Sequence, residues 1–411
     1  MSPARQLAPP RFDPLDPALA DDPYPCYARL RRESPVLHLP AHGVWVASRY
    51  AEVAAIVRDP VTYSSRLGMS PGAGPGGIVP RPGVGYRIGA PNVRVLIATD
   101  PPDHRVFRQA VAGAFSPAAI DALRPRVTAL AREQVRTLLR NSRAGAADVF
   151  ADLAEPVPAR VLAELLGVPP QMQAEFRAWS AMITADLAQA GSGVAGIGRG
   201  IEMFRFFSRR VRRPGPAGRP APLLDALAGA ARHGVTEQEV LAFCAFLLVA
   251  GIETTTHLLT NLIDVLLRAP ELADRLRREP ALVPVAVEEA IRYDTSVQAL
   301  WRGTTRAVEL AGQRLPAGAR VLVLFGSANR DEREFPDPDR FRLDRAAGGH
   351  LGFGGGPHYC LGARLARLEL AAVLRELLAA TRSIRPAGPA VRTGSIVLRG
   401  FTRQPVAVEP R

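Results

Sequence analysis

Lysine is absent from the 411 residues, so all 52 basic side chains are arginine. Against 39 acidic residues they leave a formal net charge of +13. A surplus of that size raises nucleic acid as a partner. The arginines are spread along the chain, however, and no compact basic motif with interleaved aromatics accompanies them, so no nucleic-acid partner is expected. Complementary charge steers protein encounters, and an acidic protein partner is the better use of such a surface. Cysteine is scarce too. Cys26, Cys244 and Cys360 lie far apart and form no CxxC pair, which argues against a disulfide framework and a zinc cluster. Chemistry at cysteine must then involve one thiolate alone. The opening segment MSPARQLAPPRFDP has no apolar stretch of the signal-peptide kind, and the longest apolar run, 240–252, is short for a bilayer. A soluble, cytoplasmic protein without a membrane partner is expected.

With 47% apolar and 22% charged residues, the composition is that of a folded globular protein and excludes a disordered chain. The length alone favours two or three domains. Residues 36–48 read as two short strands around a turn at Ala41-His42-Gly43. Residues 68–91 are rich in Gly and Pro without periodicity and read as a long loop that could wall a pocket. From 102 to 212 the pattern is mostly helical, broken at Pro117, Pro156 and Pro169-Pro170, and 213–222 is a basic turn. Thr236-Glu237-Gln238-Glu239 is a capping box. The apolar helix it opens is predicted to run to Ala269, roughly 50 Å at about 1.5 Å per residue. A further helix is predicted over 281–293, strands over 320–325 and 395–399, and a last helix from Cys360 or Leu361 that turns Leu365, Leu368 and Leu370 inward. There is no internal repeat.

The strongest chemical signal is Phe353-Gly354-Gly355-Gly356-Pro357-His358-Tyr359-Cys360-Leu361-Gly362. A cysteine between a glycine-rich turn and a helix start can be held as thiolate by free backbone N–H groups, and glycines on both sides let the backbone approach a flat macrocycle. Three further segments matter. Glu289 and Arg292 sit three apart on one predicted helix, and Pro338-Asp339-Arg340-Phe341 follows. Ala250-Gly251-Ile252-Glu253-Thr254-Thr255 lies in the middle of the long helix, where Gly and successive Thr are poor formers. They predict a local kink in which a hydroxyl takes over part of the backbone ladder. His104 and Arg108, four apart, share one helix face.

Together these segments closely resemble the cytochrome P450 family, over residues 13–406. The resemblance implies one mainly helical domain, 1–411, with a small β region, in place of the division suggested by length. It implies haem b held by Cys360, with Phe353, Gly354, His358 and Gly362 around the ligand loop and His104, Arg108, Arg302 and His358 near the propionates. It further implies an oxygen-binding groove at Ala250 and Gly251, with Glu253 and Thr254 as the acid–alcohol pair for protons, and a structural clamp of Glu289, Arg292 and Arg340. The implied activity is a bacterial monooxygenase of secondary metabolism that inserts one atom of O2 into a C–H or C=C bond of a hydrophobic small molecule, free or carrier-bound. Electrons would come from ferredoxin and ferredoxin reductase, docking on the cysteine side near Arg364 and Arg367. By position in the family, the substrate would meet residues 68–91, 182–187, Leu247, Val297, Leu300 and the turn at Gly400. Ring closure or coupling uses the same oxidant. A non-catalytic haem-fold protein that recruits a partner is disfavoured by Cys360, Glu253 and Thr254.

Overall fold

A computed structural model describes residues 12–69, 93–187, 193–212, 221–230, 234–346 and 348–411. The expected pocket loop 68–91 lies, from 70 on, outside the described residues, as does most of the turn 213–222. Among the described residues helices dominate, with a five-stranded sheet to one side and three two-stranded ribbons.

The hairpin forms as predicted: Val36–Leu39 pairs antiparallel with Val44–Ala47. The second strand then pairs in parallel with Arg320–Leu324, which pairs antiparallel with Ala299–Thr304, and Tyr63–Ser64 closes the sheet. This order brings Leu300 and Arg302 from one strand to the rim of the helical body. The predicted helix breaks are helix starts, since Pro117 and Pro156 stand at first positions where their missing N–H costs no bond.

The long helix is where the sequence and the structure agree most closely. Thr236 caps Glu237–Leu248, with both bonds of the capping box formed. The chain continues through a π-turn, Val249–Glu253, into Thr254–Arg268. The apolar run that looked short for a bilayer is thus part of one 32-residue helix, Glu237–Arg268, long and apolar enough to cross a membrane by length and composition. Over half of its most apolar window is buried inside the protein, and the main hydrophobic core packs around it.

Two boundaries differ from expectation. The last helix is Ala363–Ala380 and begins after the cysteine, because Tyr359, Cys360 and Leu361 remain in the loop that presents the sulfur. Leu368 and Leu370 are buried as predicted, and Leu365 partly so. Residues 395–399 make no strand: Leu398 has a single bridge to Val297, and the strands are Val391–Arg392 and Phe401–Arg403.

Candidate functional site

The long helix, the cysteine loop, the Asp103–Ala112 helix and the Ala299–Thr304 strand enclose a cavity of about 1490 Å³. Its lining includes Cys360, Phe353, Gly354, His358, Gly362, His104, Arg108, Arg302, Ala250, Gly251, Glu253 and Thr254. Leu247, Val297, Leu300, Met182 and Ile183 face it as well. Side chains at 184–187 lie outside the described residues, and Gly400 sits just beyond lining residue Leu398.

The cysteine loop is fixed by its backbone. Cys360 N donates to Phe353 O at 2.9 Å. Gly354 and Gly356 have φ of +68° and +60°, and a Cβ on Gly356 would lie 2.3 Å from Val57 O, so only glycine is accommodated there. Cys360 is open to the cavity, with protein packed around its sulfur on the other sides. Burial pushes its thiol up, and the N–H groups of Gly362 and Ala363 with Arg108 and Arg367 oppose this without overcoming it. The expected thiolate is therefore not supplied by the helix start alone. A bound metal cation would supply the missing stabilisation, since coordination deprotonates a thiol outright.

Four basic groups converge across the cavity. Arg302 is buried, donates to Trp301 O at 2.8 Å, and burial lowers its pKa to about 10. Arg108 donates to Pro357 O at 3.2 Å. The His104 and His358 rings are 4.2 Å apart. Burial, with nearby arginine charge, depresses them to about 4 and about 3, so both are neutral at pH 7. His358 Nε2 is 3.1 Å from Ser65 Oγ, whereas His104 Nε2 is buried without a partner. Such a cluster favours an anion.

On the other wall the kink is the π-turn, and Thr254 Oγ1 donates to Ala250 O at 2.6 Å. Glu253 lies 3.5 Å from His257 one turn later. Behind the cysteine loop, Glu289 takes two bonds from Arg292 at 2.7 and 2.8 Å, with both side chains almost wholly buried. The third partner is Arg345 and not Arg340. Arg345 Nε reaches both Glu289 oxygens at 3.1 and 3.2 Å, while Arg340 is exposed and offers only its carbonyl to Arg292. The two are five residues apart, and the chain turns at Asp337 and again after Phe341, so only the later arginine points back at the carboxylate. Arg367 is likewise no free docking charge: it pairs with Glu288 at 2.5 Å and lies over the Phe353 ring. Arg364 pairs with Asp121 at 2.6 Å. The sequence reading missed Arg345, the Glu288–His350 contact at 3.1 Å and His257. A second arginine downstream of Arg340 and a histidine four residues after Glu253 were the available signals.

A cytochrome P450 profile matches residues 202–382, and full-length relatives extend the likeness to almost the whole chain. The "beta-dihydromenaquinone-9 omega-hydroxylase" of Mycobacterium tuberculosis is 37% identical over 406 residues, 97% of this chain and 79% of that protein. The chain belongs to the cytochrome P450 family. The "cyclomarin C epoxidase CymV" of Salinispora arenicola is 37% identical over 350 residues, 82% of this chain and 84% of that one. The structure of the P450 CYP109Q5 from Chondromyces apiculatus superimposes with a TM-score of 0.81 at 32% identity, over 98% of this chain and all of that one. The protein is thus a P450 monooxygenase with the P450 fold, and the family implies haem, dioxygen, redox partner proteins and a small-molecule substrate.

The residues present fit that group. His104 has an orphaned buried nitrogen, the four groups Arg108, Arg302, His104 and His358 outnumber Asp100, the carboxylate that acts on Arg302 and His104, and a Cβ on Gly362 would meet nothing within 4 Å, leaving open space near the sulfur.

Proposed function

We propose that this P450, one domain spanning 1–411, hydroxylates or epoxidises a hydrophobic small molecule of bacterial secondary metabolism with haem b bound through Cys360. The observation that carries the reading is the placement of a lone cavity-facing cysteine, a basic cluster and the kinked Thr254 turn around one large, mainly apolar cavity. Haem held there supplies dioxygen activation and the oxidising power for oxygen insertion. Cys360 would ligate the iron, and Arg108, Arg302, His104 and His358 would hold the propionates. Ala250 and Gly251 border the groove for dioxygen. Thr254, a hydroxyl that both donates and accepts, would hold a proton or an ordered water on the cavity face of the kinked turn. Glu253 passes protons inward to it. Apolar walls including Leu247, Val297 and Leu300 exclude bulk water and orient the substrate.

Electrons enter from a ferredoxin, itself reduced by ferredoxin reductase, in the cytoplasm. Arg364 and Arg367 are committed to carboxylates, which leaves Arg58 as an exposed arginine beside the cysteine loop, its Cα near Gly356. The test joins both parts. Reduced protein with carbon monoxide is expected to give the red-shifted Soret band of a thiolate-ligated haem, and Cys360→Ala to lose it. Nicotinamide oxidation through ferredoxin and its reductase is expected to weaken as salt shortens the screening length to about 10 Å at 0.1 M. A Cys360→Ala protein that kept the band would refute the ligand assignment, and salt-independent reduction would refute the docking surface.

A further inference from the structure

The proton path of a P450 is usually sought in the acid and alcohol of the kinked turn, but here a third side chain is built into it. His257 lies one turn after Glu253, and its Nε2 is 3.5 Å from the Glu253 carboxylate. Small rotation of the glutamate closes that gap, and catalytic hydrogen bonds are commonly long before substrate binds. Both side chains line the cavity, and Glu253 is 16% exposed where His257 is only 4% exposed.

The imidazole is caged. A Cβ on Gly400 would lie 2.4–2.5 Å from its Cβ, Cγ and Nδ1, so the C-terminal segment closes directly over the ring. That segment is pinned to the same helix. Phe401 N donates to Thr260 Oγ1 at 3.2 Å, Thr260 Oγ1 donates to His257 O at 2.9 Å, and Asn261 Nδ2 donates to Arg399 O at 3.0 Å. Nδ1 is buried without a hydrogen-bond partner. Burial lowers the ring to about 4, against the Phe401 backbone, which favours its charged form. A neutral imidazole carries one N–H; Nε2 faces the Glu253 carboxylate while Nδ1 makes no hydrogen bond, which favours the Nε2–H form.

Resting on the P450 reading above, we propose that His257 is a positioning residue: its Nε2–H holds the Glu253 carboxylate at the cavity wall, one turn from Thr254. Held there, Glu253 presents a fixed rather than a swinging acid, and His257 itself neither gains nor loses a proton.

The test uses the haem-loaded chain with ferredoxin and its reductase. His257→Phe is expected to lower product per nicotinamide oxidised severalfold and to release hydrogen peroxide, and His257→Gln, which keeps an N–H donor, to recover part of the loss. Glu253→Gln is expected to uncouple as well, with His257→Phe adding nothing on top of it, whereas a merely structural histidine would add its own defect. A second readout needs no turnover. Nitrogen-15 spectra of histidine-labelled protein, assigned through His257→Phe among the 7 histidines, are expected to show a neutral Nε2–H ring at pH 7 whose signal shifts in Glu253→Gln. An Nδ1–H or charged ring, or additive defects in the double variant, would overturn the proposal. Because the carbon monoxide band of the wild type is recorded alongside, such a result would leave the haem-thiolate reading standing.

Discussion

The two walls of the cavity are built on opposite principles. On the cysteine side everything is over-determined. Gly356 fits only because it has no Cβ, Phe353 carries the Arg367 guanidinium at 4.6 Å over its ring, and the ionic sets Glu289–Arg292–Arg345 and Glu288–Arg367–His350 brace the segment from behind. On the helix side the backbone ladder is loosened into a π-turn, and a threonine hydroxyl takes over one carbonyl. A metal ligand must stay in one place, which close contacts and buried charge pairs achieve. Proton delivery needs room for a hydroxyl and a carboxylate at the cavity wall, which a regular helix denies. Stability is thus concentrated on one wall and function-bearing irregularity on the other, so substitutions on the two walls should fail in different ways.

The largest effect is expected at Glu289. Glu289→Gln keeps the shape but strips the charge from between Arg292 and Arg345, whose side chains are 1% and 10% exposed. Breaking a buried pair by removing one partner costs about 3–5 kcal/mol, a large part of the net stability of about 5–15 kcal/mol typical of a domain. A large fall in urea midpoint and poor haem retention are expected. Arg340→Ala, at an exposed site, should stay within about 0.5 kcal/mol of wild type. Equal losses at Arg340 and Arg345 would restore the sequence-based clamp.

Thr254 offers the contrast. Thr254→Ala removes one hydrogen bond, worth about 1 kcal/mol, so folding and haem content should hold. Product per nicotinamide oxidised is expected to fall roughly a hundredfold, the low end of what general acid–base groups contribute, with hydrogen peroxide released instead. The check is product, nicotinamide and peroxide measured together. An unchanged ratio would move the role to Thr255, which is buried beside it and also lines the cavity.

What was legible in the sequence divides along the same line. The capping box, the helix broken at Gly251 to Thr254, the starting prolines and the Cys360 loop are local signals, readable because each obeys a short-range rule. The partners of Glu289 were not. Whether Arg340 or Arg345 turns inward depends on a turn whose direction is set by packing more than forty residues from Glu289 along the chain, and both arginines carry the same charge. The thiol of Cys360 shows the same division. Helix-start stabilisation is local, but the burial that outweighs it comes from the whole fold. Strand 395–399 failed because apolar alternation there serves the cavity wall, not a ladder.

A last contrast is a pH dependence that separates the walls without turnover. His104 and His257 have folded values of about 4 against an ordinary 6.5. Between those values the unfolded chain binds more protons than the folded one. Stability from this source is therefore complete above pH 6.5, is lost as pH falls toward 4, and levels off below. Each histidine contributes at most about 1.4 kcal/mol per pH unit within that window. Buried carboxyls act with the opposite sign: burial raises Glu369 well above 4.5, so acid favours its folded form and masks part of the slope. Single variants isolate the histidines. Haem-free His257→Gln should show a flatter fall of urea midpoint from pH 6.5 to 4 than wild type, and His104→Gln likewise. Loading haem should flatten the His104 share alone, because propionates beside that ring raise its value back toward 6.5, whereas His257, caged beneath Gly400 on the other wall, keeps its dependence. If haem abolished both contributions equally, the anion would not be seated at the basic cluster, and the assignment of His104, Arg108, Arg302 and His358 to the propionates would fail with it.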